Sequence, residues 1–126
     1  IDRENESVSY LYQPLHPAIV RLIKAVAEAG ARNDVPVSLC GEMAADPRYA
    51  WVLVGLGVTE LSMHPSAIPV IKHIIRTSRS DEMRALADRV LGCESASEAE
   101  DIVLTTMRAR FPEHLRHGGG EGEGAP

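Results

Sequence analysis

Val35-Pro36-Val37-Ser38-Leu39-Cys40-Gly41-Glu42-Met43-Ala44-Ala45-Asp46-Pro47 is the stretch on which the reading of the fold turns. Its first half is short, apolar and rich in β-branched residues, the pattern of a buried strand over residues 35–39. It then stops at a thiol, a glycine and a carboxylate. After a short loop, Asp46 is in position to cap a helix with Pro47 as its first residue. A strand that delivers Cys-Gly-Glu at its C-terminal end, just before a helix, puts reactive groups where parallel α/β sheets keep their ligand sites. Two readings stay open for Cys40 at this point: a reactive site, or a small buried thiol in a tight turn, since free cysteine is among the most buried residue types.

Working outward, the pattern alternates. Residues 1–9 are polar and charged, a loop in appearance, and open on Ile1 without an initiator Met, so the chain is expected to be a piece of something longer. Pro14 and Pro17 bracket a helix start with His16 as a cap candidate. Residues 18–31 carry Ile19, Val20, Leu22, Ile23, Val26 and Ala27 at helical spacing, with Arg21, Lys24 and Glu28 on the other face. After the strand at 35–39, the spacing predicts a helix over 46–55. It is so apolar that it should be packed on more than one side. Residues 58–63 form a second strand candidate ending in His64-Pro65-Ser66, and Ile68-Pro69 opens a third helix with a stripe of Val70, Ile71, Ile74 and Ile75. Ser80-Asp81-Glu82 starts a fourth helix. A fifth begins at the capping box Ser95…Glu98 and ends near Phe111-Pro112. The run 117–126 is Gly-rich and low in complexity, a solvated tail. Helix, strand, helix, strand, helix is the sign of parallel βα units. Two parallel strands make a poor sheet alone, because such sheets are normally covered on both faces. The pattern therefore fits an incomplete α/β barrel, with two further helices packed outside it.

The 126 residues suffice for one domain with a core. A formal net charge of −5 without a dense Lys/Arg stripe argues against a nucleic-acid or anionic-membrane partner, and no apolar run approaches the roughly 20 residues that span a bilayer. The two cysteines, Cys40 and Cys93, lack CxxC spacing and suggest free thiols in a reducing compartment.

Cys40 is the strongest chemical candidate, because a thiol can act as acid or base when its surroundings tune it. Glu42 is beside it. Arg3 is the second candidate, since a guanidinium clamps a phosphate or carboxylate bidentately. His64 follows a strand end, while His73 reads as a solvated helix-face residue and His114 as part of a fraying end. The sequence contains no HExxH, CxxC pair, calcium loop, Walker motif or GxGxxG, so it gives no metal-ligand cluster. Cys93, after Gly92 at a helix end, reads as structural.

Taken together, Asp2-Arg3-Glu4-Asn5, Leu11-Tyr12-Gln13-Pro14 with Pro17, Leu39-Cys40-Gly41-Glu42-Met43-Ala44, Gly55-Leu56-Gly57, Glu60-Leu61-Ser62-Met63 and Ile68-Pro69-Val70-Ile71-Lys72-His73-Ile74-Ile75-Arg76 resemble the C-terminal end of the Enzyme I family of the bacterial phosphotransferase system, in register from Ile1 to about Arg110. The segment 61–76 favours that family over pyruvate phosphate dikinase and phosphoenolpyruvate synthase. The resemblance implies an α/β fold that is the C-terminal part of a TIM (β/α)8 barrel: two parallel strands with flanking helices and two additional C-terminal helices, residues 1–116, followed by the tail 117–126. It implies that the whole protein is a cytoplasmic phosphoenolpyruvate–protein phosphotransferase, homodimeric and Mg²⁺-dependent. Such an enzyme phosphorylates a histidine in an N-terminal domain and passes the phosphate to a phosphocarrier protein in sugar uptake. Cys40 matches the family's acid that protonates the methylene carbon of enolpyruvate, Arg3 matches an arginine on the substrate phosphate, and Glu42 has a supporting role. The magnesium ligands are expected upstream, outside this chain, and the chain alone is expected to be inactive. A nitrogen-regulatory paralogue, a relative of pyruvate phosphate dikinase or phosphoenolpyruvate synthase, and a non-catalytic truncated interaction module are the alternative readings.

Overall fold

The structure is a computed structural model that describes residues 5–115, apart from the side chain of Glu6. The phosphate-binding candidate Arg3 and the tail 117–126 lie outside the described residues. Where the sequence predicts loop up to residue 9, a short helix α1 (Glu6–Ser9) forms, because the side chain of Asn5 accepts from the amide of Ser7 at 3.0 Å and caps it. Helix α2 (Pro17–Arg32) begins as expected: Pro17 needs no amide partner, and His16 Nδ1 accepts from the amide of Ala18 at 3.2 Å.

The strands exist where the alternation puts them but are shorter than predicted. β1 (Ser38–Leu39) pairs in parallel with β2 (Glu60–Leu61), Ser38 opposite Glu60 and Leu39 opposite Leu61. Beyond the ladder, the amide of Ser62 donates to the Leu39 carbonyl at 2.8 Å. Among the described residues these are the only two strands, so each has one unpaired edge. The stretch 35–39 is not the fully buried strand its composition suggests: Val35 is 58% exposed. Leu39 and Leu61 pack on the core, whereas Ser38 and Glu60 face outward, so the described helices cover one face of the ladder.

The helix predicted over 46–55 begins only at Ala50, as α4 (Ala50–Gly55), and a short helix α3 (Glu42–Ala45) forms where the sequence predicts loop. Asp46 is the reason. Its carboxylate accepts from the amide of Arg48 at 2.9 Å and binds the Arg48 guanidinium, which holds residues 46–48 out of helix. A 3-10 turn (Pro65–Ala67) leads into α5 (Ile68–Arg76), followed by α6 (Ser80–Leu91), α7 (Ala96–Arg110) and the short α8 (Pro112–Leu115). The capping box at α7 is displaced by one residue: the Ser95 hydroxyl accepts from the amide of Glu98, but the Glu98 carboxylate accepts from the amide of Glu94.

The core lies among the helices. Ala50, Trp51, Val52 and Leu53 are buried in succession, which confirms that α4 is packed on several sides. The helices after the last βα unit are not an outer layer. Met83, Leu86, Ala87 and Val90 of α6 join the central cluster. A Cβ on Gly55 would stand 2.2 Å from the Met83 carbonyl oxygen, so only glycine lets α4 and α6 come this close. The buried indole of Trp51 donates to Ser78 Oγ at 2.6 Å, and that hydroxyl donates to the Ile74 carbonyl. Helix α2 is less completely covered. Val20 and Ala27 are buried, but Ile19, Leu22 and Val26 of the same predicted stripe are 44%, 61% and 49% exposed. No helix among the described residues is long and apolar enough to cross a membrane.

Candidate functional site

Cys40 follows directly on β1, and its side chain is exposed. Within the described residues it is therefore not the small buried thiol of the alternative reading. The next residue is Gly41, whose φ of 86° and ψ of −168° lie in a region that is almost exclusive to glycine. Nothing stands within 4 Å of a Cβ built on Gly41, so its backbone and not crowding demands the glycine. The chain reverses there and enters α3 at Glu42, which is also exposed. The parallel register brings the end of β2 alongside, so Ser62, Met63 and His64 neighbour the Cys40 turn at the same edge. The structure thus brings Cys40 and Glu42 together on one turn at the C-terminal end of the ladder.

His64 is engaged locally. Its Nδ1 lies 2.8 Å from Ser66 Oγ and accepts from the Ser66 amide at 3.3 Å, so the ring caps the 3-10 turn. Cys93 is the opposite of Cys40. It is buried, its thiol donates to the Arg89 carbonyl at 3.4 Å, and burial together with the nearby Glu98 carboxylate raises its pKa. A buried, protonated thiol of this kind is inert. On the far side of α4, Tyr49 donates to Glu100 at 2.8 Å, and burial followed by that bond raises the phenol's pKa. The Asp46 carboxylate likewise raises that of Arg48.

Magnesium is held by carboxylates and phosphate oxygens in near-octahedral geometry. At the Cys40 turn the described residues supply one carboxylate, Glu42, beside a thiol, and that set does not by itself make a magnesium site. A different set is brought together elsewhere. His73 on α5 meets Glu113 and His114 on α8, one ligating atom from each lying within 4.8 Å of the others. Some 40 residues separate His73 from the other two, and no spacing rule links them. The one sequence signal is Phe111-Pro112, which stops α7 and lets α8 fold back. His114 is consequently packed against His73 and is not a fraying residue.

An apolar groove of about 650 Å³ runs between α4, β2 and α5, walled by Val54, Val58, Leu61, Met63, Ile71 and Ile75, with Lys72 and Arg76 among its lining. Cys40 does not line it.

The family described as "PEP-utilising enzyme, PEP-binding domain" matches residues 1–80. The chain is 44% identical over 102 residues to the phosphoenolpyruvate-protein phosphotransferase of Mycoplasma genitalium and 42% identical over 102 residues to that of Staphylococcus carnosus, in both cases over 81% of this chain. It is 34% identical over 119 residues, 94% of this chain, to a Salmonella typhimurium protein named "Phosphoenolpyruvate-dependent phosphotransferase system". The chain spans 18% of the length of the first two relatives and 16% of the third.

Proposed function

Because the chain belongs to the PEP-binding domain family of PEP-utilising enzymes, we propose that it forms the last portion of a phosphoenolpyruvate-binding TIM barrel in a phosphoenolpyruvate–protein phosphotransferase. The observation that carries this reading is the exposed Cys40 at the C-terminal end of a parallel strand, the edge at which barrel enzymes do chemistry. The unpaired strand edges, the open groove beside β2 and the uncovered Ile19, Leu22 and Val26 support the barrel: they are apolar surface of the kind that further strands and helices, or a second subunit, would bury.

In this reading the phosphoryl group of phosphoenolpyruvate moves to a histidine outside this chain and then to a phosphocarrier protein that serves sugar uptake. Loss of that group leaves the enolate of pyruvate, whose C3 must gain a proton. The Cys40 thiol donates it, becomes thiolate and is reprotonated by water. Arg3 clamps the substrate phosphate, and Glu42 supports the turn that holds Cys40. The magnesium that the family resemblance implies would be held by ligands outside this chain and would supply charge neutralisation at the phosphate. The whole protein is a cytoplasmic homodimer, in keeping with two free thiols.

The test is Cys40→Ala in a full-length phosphotransferase carrying this segment. Pyruvate formation should fall about 10²–10⁴-fold, the range supplied by a positioned acid, while the urea midpoint stays in place because the residue is exposed. Unchanged turnover would remove Cys40 from the chemistry. The 126-residue chain alone should form no pyruvate from phosphoenolpyruvate and a carrier acceptor, and turnover by it would overturn the portion-of-a-barrel reading.

A further inference from the structure

We propose that His73, Glu113 and His114 bind one divalent transition-metal ion, with zinc as the natural occupant, and that the ion fastens α8 to α5. Phe111 prepares the site. It is 2% exposed, and its ring packs edge-on against Trp51 with centroids 5.7 Å apart, so the start of α8 is anchored to the core. His114 is thereby set against His73 on α5, the two ring centroids 5.2 Å apart and inclined at 69°.

His114 Nε2 is the informative atom. It is shielded from solvent and has no hydrogen-bond partner, and among the described residues it is the only shielded side-chain nitrogen or oxygen in that state. Such a group calls for an explanation, and an ion is one of the few available. Its nearest carboxylate oxygen, Glu113 Oε1, is 3.6 Å away, too far for a hydrogen bond. Two ligands of a tetrahedral ion with bonds of about 2.0–2.2 Å sit roughly 3.3–3.5 Å apart. The pair therefore has nearly the separation of two ligands on one metal. The third ligand, from His73, needs only a modest inward movement, and the side chain is exposed and free to make it. Two imidazoles and one carboxylate form a borderline donor set, suited to zinc and its neighbours over magnesium or calcium. Three protein ligands leave a fourth position for water. Glu113 is 57% exposed, so an ion has a route in.

Cobalt(II) is the probe, because its visible d–d absorption reports tetrahedral coordination. The chelator-treated, reduced protein should bind one equivalent of Co²⁺ with that absorption and without thiolate charge-transfer bands, and Zn²⁺ should displace it. His73→Ala, a change at an exposed position that should leave the far-UV circular dichroism intact, should weaken binding at least about tenfold, the effect that losing even an outer-sphere partner produces. Zn²⁺ should raise the thermal midpoint of the parent protein but not that of His73→Ala. Two control variants, Cys40→Ser and His117→Ala, should bind as the parent does. The proposal is overturned if no cobalt binds, if His73→Ala binds unchanged, or if either control variant abolishes binding. In the first case His73, Glu113 and His114 are neighbours that hold no ion.

Discussion

The helical side of the molecule and the strand side differ in how far they are finished. Around α4 the polar groups and the apolar surface are both satisfied from within: Leu53, Ile74, Val90 and Val103 are fully buried, Trp51 has its hydroxyl partner, and α6 lies against Gly55 without room for a methyl group. Around β1 and β2 little is closed. The ladder is two residues long, both strands have free edges, and the α2 stripe is partly bare. Yet the candidate chemistry, Cys40 with Glu42, is on the open side. Stability in this chain therefore resides in the helices. The strands supply direction, holding a thiol at an edge that other structure would complete.

The largest effect should come from swapping the same residue type across this divide. Leu53→Ala removes a fully buried side chain next to α6 and should cost about 3 kcal/mol. Leu22→Ala removes one that is 61% exposed and should change stability by less than about 0.5 kcal/mol. Urea unfolding followed by Trp51 fluorescence measures both. Equal costs would show that α2 is packed in solution and would dissolve the contrast. In a completed barrel or dimer, Leu22→Ala should instead become costly, which turns the pair into a measure of assembly.

The helical side was legible from sequence because its cues are local. The α5 stripe, the proline starts at Pro17 and Pro69, and the Ser95 cap each act within a turn or two of helix. The strand side was legible in order but not in extent. Residues 35–39 have strand composition, yet ladder length depends on neighbours that local pattern cannot supply, and Val35 is left in solvent. The predicted helix over 46–55 fails for a different reason: Asp46 behaves as a cap candidate should, but its partner Arg48 ties it into a turn and delays the helix to Ala50. At the site, Cys-Gly-Glu could be read directly because Gly41 forces the turn within three residues. The His73–Glu113–His114 group could not, since it depends on where α8 folds back.

A smaller effect, at the boundary between the two sides, is expected from Gly41→Ala. With no atom within 4 Å of the new Cβ, any cost is that of holding a side-chain-bearing residue at φ 86° and ψ −168°, about 1–3 kcal/mol. If the strand side is as loosely held as its short ladder suggests, the turn relaxes instead and the cost falls below about 0.5 kcal/mol. Thiol labelling separates the outcomes. In the parent protein the exposed Cys40 should react while folded and the buried Cys93 only on unfolding. A stiff turn shows a lowered urea midpoint with Cys40 labelling altered little, whereas a soft turn shows an unchanged midpoint with an altered labelling rate.

A third effect, about half that of Leu53→Ala at neutral pH, lies in the polar tie that joins α4 to α7. Tyr49 is buried at 4% exposure and donates to Glu100 at 2.8 Å. Tyr49→Phe keeps the ring and deletes a hydrogen bond to a carboxylate, a loss of about 1.5 kcal/mol near neutrality. Its pH dependence has a definite sign. Burial, and then the bond to Glu100, raise the phenol's pKa in the folded protein above its unfolded value near 10. The contribution is fully present below about pH 10. Above it the unfolded chain releases a proton that the folded chain retains, so stability declines as pH rises toward the folded value. The parent protein should lose stability on that alkaline limb faster than Tyr49→Phe, and the gap between them should narrow. If both lose stability in parallel, the phenol is not held neutral by its surroundings, and the α4–α7 side is less tightly closed than its geometry indicates.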